Sequence, residues 1–167
     1  YGGTAFGPIF SGAGGATYYP SAAFTGTTNG YWTYNSLPVS IGYQTTNAYV
    51  IASYKLVAWP TGGAYYATAN NCPKSWTLKG SNDNITWATV DTRTTETNWS
   101  YGERRTYTIT SPTNAYKYHR LNISDTNGLY GAGYQPVVGD LQLISQGSQA
   151  NITPVTFRAF ITTAGNL

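Results

Sequence analysis

Short stretches in which apolar and polar residues alternate recur along the whole chain and constrain its fold most strongly. In YVIASYKLVAW, residues 49–59, the alternate positions from Val50 to Leu56 are mainly apolar, and the intervening set, which includes Ile51, is predicted to face away from the core. Glycine, proline and asparagine separate these stretches, and helical spacing of apolar residues is nearly absent. The pattern predicts an all-β domain.

A β-hairpin is predicted at the centre of the chain, in SWTLKGSNDNITWATV (75–90). Trp76 and Leu78 share one face of an extended segment, the residues from Gly80 to Asp83 have turn chemistry, and ITWATV resumes the alternation. The same alternation predicts three core tryptophans: Trp32, Trp76 and Trp87.

Charge and cysteine content narrow the class of protein. Only 9% of residues are charged, Cys72 is the only cysteine, and the basic residues are scattered rather than clustered. We therefore expect no internal disulfide, no nucleic-acid partner and, without an apolar run of about 20 residues, no membrane insertion. Solubility based on hydroxyls and amides is typical of extracellular or virion-surface β proteins.

Catalytic residues are not marked in the sequence. The six acidic residues fall mostly in turns, and the sequence marks no pair of carboxylates of the kind that glycosidases use. His119, the only histidine, shares a face with Leu121 and Ile123, so it is predicted to be packed and hydrogen-bonded rather than a base or a metal ligand. The chain is predicted not to be an enzyme.

The hairpin resembles that of discoidin domains, the coagulation-factor C-type (galactose-binding-like) family that includes many carbohydrate-binding modules. The resemblance is carried by Pro73, Trp76, Leu78, the Gly80–Asp83 turn and Trp87. SAAFTGTTNGYW, YKLVAWP, YKYHRLNIS and GDLQLI follow the family's order, so the resemblance covers roughly residues 15–145. It implies a jelly-roll β-sandwich whose ligands bind in loops at one end.

By this resemblance, sugar contacts fall in the loop after VAWP, at an Asn near the start of the next strand, and on an aromatic before the closing strand. The chemistry agrees, because tyrosine faces stack on the C–H face of a pyranose while amides bond its hydroxyls. The predicted contact residues are Trp59, Tyr65, Tyr66, Asn70, Asn71, Tyr130 and Tyr134. The alternative is that these tyrosines pack loop tips or form a contact between chains.

The resemblance also implies a structural calcium site near the early loop. Many members have Asp-Gly where this chain has Thr25-Gly26, and a Glu where it has Asp140. Backbone carbonyls around 25–31 together with Asp140 would supply the oxygen ligands that Ca²⁺ prefers. Calcium is therefore a candidate structural cofactor, with Thr25 and Asp140 at its site.

The predicted organisation is an N-terminal leader or strand (1–14), a discoidin-like carbohydrate-binding domain (15–147) and a tail or the start of a neighbouring module (148–167). The expected function is lectin-like: a non-catalytic domain that attaches a larger surface or phage tail protein to cell-surface glycans. Two alternatives stay open: a structural or protein-interaction module of a phage tail fibre, which would contact other chains, and an accessory domain of a glycoside hydrolase.

Overall fold

The protein is a two-sheet antiparallel β structure. The computed structural model describes residues 3–11, 17–26, 32–33, 36–58, 71–128, 136–147 and 156–157. The strands are β1 (Gly3–Phe6), β2 (Phe10–Ser11), β3 (Thr17–Tyr18), β4 (Trp32–Thr33), β5 (Val39–Tyr49), β6 (Ile51–Val57), β7 (Pro73–Ser81), β8 (Ala88–Arg93), β9 (Arg104–Thr108), β10 (Tyr116–Thr126), β11 (Val137–Val138), β12 (Asp140–Ser145) and β13 (Thr156–Phe157), with a 3₁₀ segment at Pro20–Phe24. Within these ranges, no helix is long and apolar enough to cross a bilayer.

Two sheets form the body of the molecule. The larger has the order β1-β5-β10-β7-β8 and the other has the order β13-β12-β6-β9, and the short strands β4 and β11, and β2 and β3, pair separately. Each of these pairings is antiparallel. The all-β prediction is confirmed.

The core lies between the two sheets, and both contribute alternate side chains to it. The larger sheet contributes Ile41, Trp76, Leu78, Leu121 and Ile123, and the other contributes Tyr54, Leu56, Tyr107, Leu141 and Leu143. The rings of Trp76 and Tyr107 meet edge to face across the interface, with centroids 5.1 Å apart. Interdigitation of this kind holds a β-sandwich together.

The alternation in β6 changes phase near its start. Tyr54 and Leu56 are buried as predicted, but Ile51 is buried as well, so its prediction was wrong. The pairing with β12 passes from Ile144 opposite Ser53 to Ser145 opposite Ile51, which leaves one residue of β6 unmatched. A bulge of this kind shifts the side-chain parity by one and turns Ile51 toward the core.

The central hairpin is confirmed, with β7 and β8 joined by a turn over 82–87. Asp83 closes the turn: its Oδ1 accepts the amide N–H groups of Ile85 at 2.8 Å and Thr86 at 2.7 Å. These donors stabilise the carboxylate and lower the pKa of Asp83 to about 2. Asn84 adopts the left-handed backbone conformation that asparagine tolerates in turns.

The tryptophan predictions divide between the two faces of the larger sheet. Trp76 is fully buried, as predicted. Trp87 is only half-buried, so its assignment to the core was wrong: the Arg120 guanidinium lies 3.9 Å from its ring centroid. Arg120 alternates in β10 with the buried His119 and Leu121, so this stack covers the outer face. The side chain of Trp32 is outside the described residues.

A buried hydrogen-bond chain joins the two sheets. The indole N–H of Trp76 donates to the Tyr54 hydroxyl at 2.8 Å, which in turn donates to Asp91 Oδ2 at 2.7 Å. The Nε–H of Arg93 donates to the same carboxylate oxygen at 2.8 Å. Burial and the bond to Asp91 raise the pKa of Tyr54 above its usual value, so the hydroxyl stays protonated and keeps its donor.

Tyr54→Phe is expected to destabilise the fold by about 2 kcal/mol, because the buried Trp76 N–H loses its acceptor. Urea denaturation should show a lower midpoint with an unchanged slope. Tyr19→Phe, at a side chain that is 53% exposed, is the matched control and should change stability by less than about 0.5 kcal/mol. Equal stability of the two variants would mean that the hydrogen bonds of the Tyr54 hydroxyl make no net contribution to the free energy of unfolding.

Candidate functional site

The segments 59–70 and 129–135, which hold most of the predicted sugar contacts, leave the sandwich at one end. Their described ends are Ala58 and Asn71 for the first, and Gly128 and Pro136 for the second. We call this end of the sandwich the loop end. It lies at the last residues of β6 and β10 and at the first residues of β7, because these strands are antiparallel to their neighbours.

Asn127 ties the two segments together. Its backbone N–H donates to the carbonyl of Cys72 at 3.2 Å, and its side-chain Nδ2 donates to Cys72 at 3.2 Å and to the carbonyl of Glu96 at 2.8 Å. Cys72 follows the first segment and Asn127 precedes the second. The hydrogen bonds of Asn127 therefore fix the distance between the end of the first segment and the start of the second. Sequence reasoning missed Asn127, and its only signal was an asparagine in SDTNG, at the start of a loop.

Gly139 brings the residues before the first segment close to those after the second. Its N–H donates to the carbonyl of Val57 at 2.9 Å, just before the first segment leaves β6. A Cβ built on Gly139 would lie 2.5 Å from the carbonyl oxygen of Ala58, so only glycine fits this approach. The chain therefore enters β12 directly beside the point where residues 59–70 begin.

A charged cluster supports the loop end from the side of β9. Arg105 bonds the carboxylate of Glu103 at 2.7 Å and that of Glu96 at 3.3 Å, and its guanidinium lies 4.1 Å from the ring centroid of Trp99. The hydrogen bond from Arg105 lowers the pKa of Glu103. Trp99 is buried, and its indole N–H donates to the carbonyl of Pro73 at 3.1 Å. Trp99 thus caps the core beneath the first residues of β7.

Most of the predicted contact residues lie outside the described residues: Trp59, Tyr65, Tyr66, Asn70, Tyr130 and Tyr134. Asn71 is described and is only 1% exposed. A side chain so buried positions the base of a loop rather than presenting its amide to a ligand, so we revise the prediction for Asn71 accordingly. Sugar contact by the other six stays a prediction.

Asp140, the first residue of β12, anchors the early loop at Gly26 to this closing strand. The carboxylate is fully buried; Oδ1 accepts the N–H of Gly26 at 3.1 Å and Oδ2 accepts Nε2 of Gln142 at 2.8 Å. The hydroxyl of Thr25 lies 3.4 Å from the carbonyl oxygen of Ala22.

The described residues near Asp140 offer few oxygen atoms as ligands for calcium. In the described part of the chain, no three His, Cys, Asp or Glu side chains gather as a metal site would need. Asp140 would supply one carboxylate to a calcium ion, and the remaining ligands would be backbone carbonyls around 25–31, of which 27–31 are outside the described residues. Calcium at Thr25 and Asp140 stays a prediction.

The acidic residues are all described, and each has a polar partner. Asp125 pairs with Lys74 at 3.0 Å; the remaining partnerships are those given above for Asp83, Asp91, Glu96, Glu103 and Asp140. These carboxylates bond cations and amide donors of the protein itself, an arrangement that suits structural support.

The architecture is that of F5/8 type C, or discoidin-like, domains. The F5/8 type C domain of a Bacteroides fragilis protein superposes with a TM-score of 0.65 at 13% identity, over 84% of this chain and 89% of that one. A CBM32 module of Clostridium perfringens in complex with GalNAc-β-1,3-galactose gives 0.61 at 19% identity, over 84% and 94%.

The family 32 carbohydrate-binding module of Clostridium perfringens NanJ, in complex with galactose, gives a TM-score of 0.60 at 18% identity over 84% of this chain and 92% of that one. No family model and no curated protein matches the sequence. The predicted discoidin-like β-sandwich is confirmed by these superpositions.

Proposed function

We propose that this chain is a non-catalytic carbohydrate-binding domain whose site is formed at the loop end by residues 59–70 and 129–135. The observation that carries the proposal is the convergence of the described residues that flank the two segments, which the hydrogen bonds of Asn127 and Gly139 hold together. The two segments contain Tyr65, Tyr66 and four further tyrosine, asparagine or tryptophan residues of the predicted set. Two solved modules of this fold are complexes with galactose and with GalNAc-β-1,3-galactose.

The chemistry of the two segments suits a neutral sugar. Tyrosine rings offer flat apolar faces to the C–H face of a pyranose, and asparagine amides bond its hydroxyls. The described rim of the loop end adds no unpaired carboxylate, since Glu96 and Glu103 are held by Arg105. We expect modest affinity from a single sugar site of this kind, which repetition along a larger assembly would raise through multivalency.

The finer proposal concerns the parent protein. A chain with 9% charged residues and a single cysteine is suited to the outside of a cell or a virion, where it would attach a surface or phage tail protein to glycans. The proposed absence of catalysis is supported by the partnered carboxylates and by the burial of His119, which leaves no exposed base on that residue.

A glycan array probed with the multimerised domain tests the proposal. Tyr130→Ala combined with Tyr134→Ala should weaken binding at least tenfold, about 1.4 kcal/mol, because the stacking faces are removed. Ile85→Ala is the control: this side chain is 83% exposed in the hairpin turn, at the other end of the sandwich, and its removal should leave binding unchanged. Unfolding curves should show that both variants remain folded.

Repeating the array in chelator tests the calcium prediction separately. Loss of signal and of thermal stability in chelator, restored by Ca²⁺, would support a site at Thr25 and Asp140. If no bacterial or animal glycan binds with or without calcium, the carbohydrate proposal fails, and the protein-interaction module of a fibre becomes the better account.

A further inference from the structure

A cavity lies at the end of the sandwich opposite the loop end. It has a volume of about 110 Å³ and opens to solvent between the start of β6, the start of β10 and the segment after β9. This volume is enough to hold several water molecules. The segments 59–70 and 129–135 leave from the other end, so this cavity is separate from the proposed sugar site.

His119 lines this cavity and is 2% exposed. Among the described residues, neither its Nδ1 nor its Nε2 has a hydrogen-bond partner, so burial was predicted correctly and hydrogen bonding was not. Leaving a buried imidazole unpaired costs free energy, and such groups in native proteins are usually satisfied by water or a ligand. The unpaired imidazole beside the cavity is therefore a candidate partner for a polar ligand.

The protonation state of His119 narrows what that ligand would be. Burial lowers the pKa of His119 to about 4, so the ring is neutral at pH 7 and presents one N–H donor and one acceptor nitrogen. A hydroxyl group both donates and accepts, and so satisfies either nitrogen. A carboxylate or phosphate only accepts, so it can bond only the ring nitrogen that carries the proton.

The rest of the lining agrees with an uncharged occupant. Ile51, Val90 and Ile109 supply apolar walls, and the hydroxyl and amide side chains of the segment after β9, among them Thr110 and Asn114, line the same cavity. None of the described residues that line it is Lys, Arg, Asp or Glu. Apolar walls beside hydroxyl and amide groups match the C–H and O–H groups of a polyol.

We propose that this cavity is a second binding site, for the end of a small neutral polyol: glycerol itself, or the exocyclic hydroxyl groups of a sugar, with His119 bonding one hydroxyl. The ring of Tyr116, perpendicular to the imidazole with centroids 6.1 Å apart, forms a wall beside it. The site adds a second point of attachment at the far end of the domain.

His119 is the only histidine in the chain, so its imidazole C–H signals in an NMR spectrum of ¹³C-labelled protein are unambiguous. At pH 7, glycerol and methyl β-galactoside are titrated separately, which distinguishes a free polyol from a sugar. We expect a saturable shift with a millimolar dissociation constant from at least one of them. 1-Propanol, which matches glycerol in carbon number, and acetate should each bind at least tenfold more weakly.

Variants at His119 and Asn114 assign the shift to the proposed contacts, and binding is followed through the backbone amide signals of Thr110, Ser111, Thr113 and Asn114. His119→Leu should weaken polyol binding at least tenfold, whereas His119→Gln, which keeps a donor and an acceptor, should bind within about threefold of the original. Asn114→Ala, at an exposed residue, should weaken binding severalfold, so the test remains decisive even if His119→Leu fails to fold.

The proposal is overturned if no polyol gives a saturable shift, because the cavity then holds only water. It is also overturned if 1-propanol shifts the imidazole equally, because the cavity then does not select a polyol. Tyr130→Ala with Tyr134→Ala is expected to leave the imidazole response unchanged. Failure of the loop-end site and failure of this site are therefore separate results.

Discussion

Replacing Gly139 by alanine is expected to destabilise the folded state by about 3 kcal/mol or more. The added Cβ would lie 2.5 Å from the carbonyl oxygen of Ala58 and 2.9 Å from that of Val57. Both atoms belong to the backbone at the end of β6, so no side-chain rotation relieves the overlap and the strands must separate. Separation would also break the hydrogen bond from the Gly139 N–H to Val57.

Thermal unfolding measures this effect. For a chain of this size, about 3 kcal/mol lowers Tm by roughly 6–12 °C. Ala88→Val is the control, because it adds carbon atoms at an exposed position of β8 and should change stability by less than about 0.5 kcal/mol. An unchanged Tm for Gly139→Ala would mean that β6 and β12 are farther apart at this point than the structure places them.

Acidification from pH 7.5 to 5 is expected to remove about 2 kcal/mol of stability through His119 alone. Burial lowers its pKa to about 4 in the folded state, against an ordinary value of 6.5 in the unfolded chain. Between these values the unfolded chain binds a proton that the folded protein does not, so stability falls as the pH falls. The full contribution, about 3 kcal/mol, is present above pH 6.5 and is lost below about pH 4.

Urea unfolding at a series of pH values tests this expectation against His119→Gln, which has no group titrating in that window. The variant should show a flat profile from pH 7.5 to 5, while the original loses stability. The lowered pKa values of Asp83, about 2, and Glu103 act at lower pH than this range. Parallel profiles for the two proteins would show that the imidazole is hydrated enough in the folded state to bind its proton normally.

Local alternation was sufficient to predict the central hairpin and its core residues. Trp76 and Leu78 are buried, and the residues from Ser81 to Thr86 make the turn, because period-two burial and turn chemistry depend on neighbours in sequence. The same rule failed for Ile51 and Trp87. A bulge in the pairing with β12 turns Ile51 toward the core. Trp87 instead packs against Arg120 of β10 on the outer face of the larger sheet.

The closing strand shows a second limit of alternation. From Asp140 to Leu143 both sets of side chains are buried, the polar set as well as the leucines. Gln142 donates to Asp140, and Asp140 in turn accepts the N–H of Gly26 in the early loop. A strand that is buried on both faces does not alternate between apolar and solvent-facing polar residues, so alternation cannot reveal it. The tertiary structure decides which residues pack on each face.

For the candidate site, the sequence predicted the position of the loops but not the residues that hold the ends of those loops in place. The resemblance to discoidin domains directed attention to residues 59–71 and 129–135, and the structure brings their ends together at one end of the sandwich. Asn127, Gly139 and Trp99 hold them there, through contacts between residues 26 to 82 positions apart in the chain. No local pattern distinguishes these three from other asparagines, glycines and tryptophans.

The sequence by itself determined the class of this protein: alternation and turn residues made it an all-β domain, and low charge with one cysteine made its core carry the stability. The tertiary structure decided which residues meet. It turned Asn71 inward, joined the residues that flank two loops through Asn127, and left His119 unpaired beside a cavity at the far end. Secondary structure follows from interactions between near neighbours, whereas a binding site depends on register and chain crossings that are fixed only when both sheets pack.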